Sequence, residues 1–287
     1  MNNKGFISIT VIYSFFLVFL SLMALIIVNL SSDRVLLNNI KKTIKNDISD
    51  TNMANYLINK DKNLVLKNDS YRYEGENPNN YVCISSEDTC SDTNLFRIIG
   101  VIDGKVKLVT NTFLSDLSWD EEPLDDSLSS SDTLSNNWSN SSLNTYLNND
   151  YLNMYLKDYI NYIDDTIWYT GGIIKEQNFD DILNNEISNK GSFIKAKIAL
   201  LYITDYIYAS KSNNVANTDN WLYTDNMWFI TRVNTNIIDA FYIDENGVLN
   251  TSSVDYKKNI KPVFFLKGNV KYKSGDGTKD IPYRVMV

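Results

Sequence analysis

Histidine is absent from the 287-residue chain, and cysteine occurs only twice. Without histidine, no Ser-His-Asp triad, Cys-His pair, histidine-ligated zinc site or haem-type histidine ligand can be assembled. Two thiolates alone cannot complete a zinc shell. Four prolines and eleven glycines are too few for a collagen-like or Pro/Gly low-complexity chain. Basic side chains are in deficit, 27 against 35 acidic ones, for a net charge of −8. That balance disfavours a general nucleic-acid surface.

What is present is unevenly placed. Residues 6–30 form a run of 25 without a charge, longer than the ~20 residues a membrane span requires. Residues 1–52 carry Lys4, Arg34, Lys41, Lys42 and Lys45 against Asp33, Asp47 and Asp50, a net of +2. The remainder is therefore at −10 and reads as an acidic, soluble body. Asparagine occurs 39 times, so lone Asn clusters carry little weight as sites.

Beyond the uncharged run, Leu36, Ile40, Ile44 and Ile48 recur every four residues, an apolar stripe on a charged helix. One helix over residues 6–52, apolar first and amphipathic second, is the expectation. Three readings compete for it: a cleaved secretory signal, an ordinary one-pass anchor, and a processed leader with a retained helix. The apolar core exceeds the ~7–15 residues of a signal peptide. The basic residues after the run leave orientation ambiguous by charge alone.

Met1-Asn-Asn-Lys-Gly5 followed by Phe6-Ile-Ser-Ile-Thr10 resembles the type IV prepilin signature. The resemblance implies a leader over residues 1–5, cleavage between Gly5 and Phe6 by a prepilin peptidase, and a helix that anchors the chain or packs among other pilin subunits. The family usually has Glu at the fifth mature position. Here it is Thr10, which suits a minor pilin or pseudopilin better than a major filament subunit.

Cys83 and Cys90 have six residues between them. In a body outside the membrane this spacing suggests a local disulfide; two reduced thiols in an intracellular protein are the alternative. Residues 53–70 read as a linker and 71–287 as the body. Two β-branched runs around Asp103-Gly104 predict a hairpin. Leu- and Tyr-rich stretches over 141–162 and 195–209 predict helices, the first capped by Ser141 or Ser142. From Trp221 onward the pattern is β. The acidic stretch 118–135 lacks an EF-hand's ligand spacing, so it reads as a solvated loop and calcium is not supported; no cofactor is expected.

Several stretches in this order resemble an uncharacterised extracellular domain of Gram-positive bacteria. They are Asn77-Pro-Asn-Asn-Tyr-Val-Cys83, Phe96-Arg-Ile-Ile-Gly-Val101, Trp138 with Leu143-Asn-Thr-Tyr-Leu147, Lys197-Ile-Ala-Leu-Leu201, Asn220-Trp-Leu222, Ile260-Lys-Pro-Val-Phe-Phe-Leu266 and Ser274-Gly-Asp-Gly-Thr278. The family's usual Arg-Pro is Lys261-Pro262 here. The resemblance implies a C-type-lectin-like fold. The expected class is thus α+β: a long pilin-like N-terminal helix, then a lectin-like domain of short helices and antiparallel sheet.

Trp221, Tyr223, Trp228 and Arg232 are the densest aromatic and basic group. Such side chains stack on sugars or anchor protein contacts, so they are the candidate ligand-binding residues. The competing reading makes the two tryptophans core. Asp244 and Asp276 read as turn-formers, and no metal ligands or catalytic residues are assigned. The expected function is a type IV pilin-like surface protein at the cell membrane, with an extracellular adhesion domain for an unknown surface or glycan ligand. A plain single-pass binding module outside any filament is the alternative. A carboxylate-based surface hydrolase is the weakest of the three, because no carboxylate pair stands out.

Overall fold

The computed structural model describes residues 16, 19, 20, 52–85, 89–121, 136–175, 179–186, 192–211 and 219–286. The chain divides into two units, Met1–Ser49 and Asp50–Val287. In the first, Phe16, Phe19 and Leu20 are helical and exposed. The rest of the expected helix up to residue 51, with Gly5, Phe6 and Thr10, lies outside the described residues. So does most of the acidic loop, residues 122–135.

The second unit opens at Asn52, whose side-chain oxygen accepts the Ala54 and Asn55 amides at 2.9 and 3.3 Å. This caps helix α1 (Met53–Lys60), which buries Met53, Ala54 and Leu57. The chain is pinned here to its own C-terminal part. The Met53 amide donates to the Val270 carbonyl at 2.9 Å, and Tyr56 stacks on Tyr272 at 3.5 Å. Asp61 accepts the hydroxyls of Tyr73 and of Tyr283, the latter at 2.6 Å. Residues 53–70 are therefore not a linker. They hold α1 and the hairpin strands β1 (Leu64–Lys67) and β2 (Ser70–Tyr73).

The remaining strands are β3 (Tyr81–Cys83), β4 (Leu95–Ile102), β5 (Lys105–Thr110), β6 (Leu114–Ser118), β7 (Thr166–Tyr169), β8 (Phe193–Ala196), β9 (Ile198–Ala199) and β10 (Met227–Arg232). They continue as β11 (Asp239–Ile243), β12 (Leu249–Ser253), β13 (Lys257–Ile260), β14 (Val263–Phe265), β15 (Tyr272–Ser274) and β16 (Tyr283–Val285). The larger sheet runs β15-β16-β3-β4-β5-β14-β9, with β2 also paired to β4 and β1 to β2. The second runs β12-β11-β10-β13-β6, and β7 pairs with β8.

The two hairpins that matter below have the positive-φ turns that two-residue connections favour. Asn68 and Asp69 sit at φ 43° and 62° between β1 and β2, and Asp103 and Gly104 at 49° and 75° between β4 and β5. The predicted hairpin at Asp103-Gly104 is thus present. Gly100 lets β2 lie against β4: a Cβ there would overlap the Tyr71 carbonyl oxygen and crowd the Arg72 Cα. The close approach is what brings Arg72 over the sheet.

The expected fold class is corrected in two respects. Among the described residues there are sixteen strands and, from Met53 onward, five α-helices, the longest of eight residues; no helix among them is long and apolar enough to cross a membrane. The lectin-like body of antiparallel sheet gives way to two mixed sheets, because β16 runs parallel to β3 and β10 parallel to β13. The helix expected over 195–209 is also shorter. Ile198 and Ala199 pair with β14, and only Ile203–Tyr208 is helical. Sheet pairing at a buried edge overrides helical propensity. The first predicted helix is closer: α2 (Ser142–Tyr146) and α3 (Leu152–Tyr155) flank a π-turn at Leu147–Tyr151. Ser141 caps it, accepting the Asn144 amide at 3.1 Å. Helix α4 (Phe179–Asn185) and helix α5 (Ile203–Tyr208) complete the set.

All five tryptophans of the chain are at most 7 % exposed. Cys83 and Cys90 are joined as a disulfide, with Cα atoms 6.0 Å apart, at the buried end of β3.

Candidate functional site

The four aromatic and basic candidates share no hydrogen bond or ring contact with one another among the described residues. Trp221 is buried, its indole N–H donating to the Tyr73 carbonyl at 3.1 Å. The Arg97 guanidinium lies 4.6 Å from its ring and 4.4 Å from that of Tyr81. Trp228 is fully buried on β10, its N–H on the Leu117 carbonyl at 3.3 Å. Tyr223 is half-buried and donates to the Glu245 carbonyl at 2.8 Å. Arg232 is half-buried, with Nε 3.4 Å from the Gly171 carbonyl. Each is engaged with a different part of the fold. The two tryptophans are core residues, the competing reading above.

Asp244 and Asp276 act in turns. Asp244 accepts the amides of Asn246 and Val248, both at 2.9 Å, and Asp276 that of Thr278 at 3.0 Å. Among the described residues, no three His, Cys, Asp or Glu side chains converge to hold a metal ion.

The chemistry that the structure does bring together was not singled out in the sequence. Asp205 on α5, Arg72 on β2, Lys107 on β5 and Glu186 just past α4 are each no more than 3 % exposed. One Asp205 oxygen takes Arg72 Nη1 at 2.6 Å and the other takes Lys107 Nζ at 2.5 Å. The second oxygen also accepts the Tyr202 amide at 3.0 Å, which fixes the first turn of α5. Arg72 Nε donates to Ser70 Oγ at 2.9 Å. The Lys107 ammonium lies 4.7 Å from the Tyr202 ring, 5.2 Å from Trp168 and 5.5 Å from Phe265. Glu186 accepts the Ile203 and Thr204 amides at 2.8 and 2.7 Å and the Thr231 hydroxyl.

Burial raises the Asp205 carboxyl, but the Lys107 and Arg72 charges outweigh it and hold the group below its ordinary range. Burial lowers Lys107 against the pull of Asp205. Burial raises Glu186, and its hydrogen bonds with Thr231, Thr204 and Ile203 only partly offset this. Burial of such a network costs desolvation, which its close contacts offset in part.

The cluster is not sealed. A cavity of about 340 Å³ opens above it, with Ser70, Arg72 and Thr204 at its buried end. The Asn68-Asp69 and Ile102-Asp103 turns form one wall, and Leu183, Asn184 and Tyr208 the other. The Arg72 guanidinium sits 5.5 Å from the Tyr208 ring. An open groove of about 380 Å³ runs between the α2–α3 helical segment and β8. Its central Asn148 is committed to the backbone, accepting the Lys197 and Ile198 amides at 3.1 and 3.0 Å and donating to the Ile198 carbonyl at 2.9 Å. The cavity over Arg72 is the better-built site, because a buried charge faces it.

No protein-family model, curated protein or solved structure matches the chain.

Proposed function

We propose that the chain is a surface protein held at the cell membrane by its apolar N-terminal segment, cleaved between Gly5 and Phe6 in the manner of a type IV prepilin. The Asp50–Val287 unit lies outside and serves as a binding module. The observation that carries this reading is the Cys83–Cys90 disulfide, since such bonds persist in oxidising compartments and are rare in the cytosol. The 25-residue uncharged run and the Gly5-Phe6 junction support the attachment. The cavity over Arg72 supports binding.

Intact mass and thiol counting on protein from the native host test it together. The expected product begins at Phe6 and has no thiol that reacts before reduction. Retention of Met1 to Gly5, a start near residue 31, or two reactive thiols each overturns the reading. Thr10, in place of the carboxylate that would pair with a neighbouring subunit, favours a second reading in which the module never enters a filament. Mass spectrometry of purified surface filaments separates the two by presence or absence of the chain.

A further inference from the structure

We propose that the cavity over Arg72 binds a small zwitterion, of which a free α-amino acid is the simplest class, with its carboxylate inward and its ammonium at the mouth. This rests on the reading of the Asp50–Val287 unit as a binding module and names what that module takes.

The argument starts from the order of charges with depth. Arg72, at the buried end, is 3 % exposed, whereas Asp69 and Asp103 at the mouth are exposed. Arg72 commits Nε to Ser70 and Nη1 to Asp205, and Nη2 has no acceptor among the described residues. A guanidinium carries five N–H donors in a planar fork. A free edge of that fork facing a cavity is best met by a carboxylate. The two mouth aspartates belong to hairpin turns, and the turns alone explain their residue type. They do not explain why a guanidinium is held beneath them.

Simpler ligands fit less well. A plain carboxylate would reach Arg72 only past two negative charges. A plain amine gains at the mouth and meets a cation at the floor. A neutral sugar would leave the layered charge unused. A molecule with both charges separated along its length satisfies both ends. The volume, about 340 Å³, is at the lower end of the range for small-molecule sites, roughly 300–1,000 Å³. Ile102, Leu183 and Tyr208 supply apolar wall for a side chain.

The test is calorimetric titration of the full chain in detergent with the common α-amino acids. For each binder, the matched carboxylic acid lacking the amine and the matched amine lacking the carboxylate are added, and a panel of monosaccharides is run beside them. At least one amino acid should bind, and each single-charge analogue should bind about tenfold more weakly, the share of one charge-assisted contact. Asp69→Asn with Asp103→Asn should weaken binding by about two- to fivefold, as exposed charge pairs do, and flatten its salt dependence. Leu183→Trp, which fills the cavity, should abolish binding while the thermal transition stays cooperative. Equal binding of the deaminated analogue, binding that survives Leu183→Trp, or no binding by any amino acid overturns the proposal. Sugar binding that Leu183→Trp removes also overturns it, yet leaves the binding-module reading standing. Cytosolic location, by the mass and thiol measurements above, fails that reading instead.

Discussion

Asp205→Asn is the most direct probe of the buried cluster. The substitution keeps shape and removes the charge shared by Arg72 and Lys107, whose contacts are 2.6 and 2.5 Å. Two cations, 3 % and 1 % exposed, would be left without a carboxylate partner. Breaking a buried pair by removing one partner typically costs about 3–5 kcal/mol. For a unit of this size, about 2–4 °C of Tm is lost per kcal/mol, so the expected fall is about 10 °C.

Lys107→Met is the control. It leaves the Arg72–Asp205 pair intact and places an apolar chain among Tyr202, Trp168 and Phe265. Asp205 keeps Arg72 as one of its two cationic partners, so Lys107→Met should cost less than Asp205→Asn, at most about 3 kcal/mol. Urea unfolding followed by tryptophan emission suits the measurement, because all five indoles are buried. The pH dependence adds a second signature. The folded Asp205 carboxyl titrates below its ordinary value, so its contribution is present above the unfolded pKa of ~3.9. It is lost as pH falls through the lower folded value. Glu186, raised by burial, works in the other direction: its contribution is lost as pH rises through its folded value. Asp205→Asn should therefore reduce the acid-side slope. A loss under about 1 kcal/mol, or a larger loss for Lys107→Met than for Asp205→Asn, would refute the assignment of Asp205 as the charge that holds the cluster.

Gly100→Ala should cost about 1–3 kcal/mol, the usual range for overpacking, because its Cβ would meet the Tyr71 carbonyl. By shifting β2, it should also weaken any ligand of the Arg72 cavity. Trp228→Ala should cost about 3–5 kcal/mol, whereas Tyr223→Phe, which loses one exposed hydrogen bond to Glu245, should cost under about 1 kcal/mol; reversed magnitudes in urea melts would contradict their placement. Lys261 is buried against the Leu222 carbonyl. Burial, with Arg97 as a like charge, brings its pKa down to about 8. Between pH 8 and 10 the unfolded chain then holds more protons at this group than the folded one, so stability should rise with pH. The gain is on the order of 3 kcal/mol, and Lys261→Met should remove the slope; an unchanged slope in that variant would rule the group out as its source.

What could be read from the chain is what local pattern determines. The Asp103-Gly104 hairpin, the β character after Trp221, the Ser141 cap and the turn roles of Asp244 and Asp276 all follow from residues adjacent in sequence. What escaped depends on distant partners. Residues 53–70 look like polar linker until Tyr272, Tyr283 and Val270 are known to face them. Ile198-Ala199 joins a helical pattern until β14 is found alongside. The parallel entry of β16 beside β3 has no local signature at all. The cavity was missed for a related reason: aromatic density drew attention to Trp221 and Trp228, whose size places them in the core. A usable signal did exist. Lys107 interrupts Val106-Lys-Leu-Val109, and Asp205 sits amid Ile203, Tyr206 and Ile207. A charge on an otherwise apolar face implies a partner, though not which one.

Stability alone is a weak reason for the cluster to exist. Burying two cations and two carboxylates incurs desolvation costs that a well-packed apolar set of equal volume would avoid, and such replacements are often neutral or stabilising. The geometry is better accounted for by what it holds in place. Arg72 arrives from β2 and is fixed by Ser70 on its own strand and by Asp205, 133 residues away. Asp205 is fixed in turn by Lys107, 98 residues from it, and by the Tyr202 amide. Nothing in that chain of contacts requires Arg72 to line a cavity. An engineered apolar set at 72, 107 and 205 should therefore fold with near-native stability and bind nothing in the cavity. If that variant proves strongly destabilised, the cluster is a structural keystone, and the cavity above it is incidental.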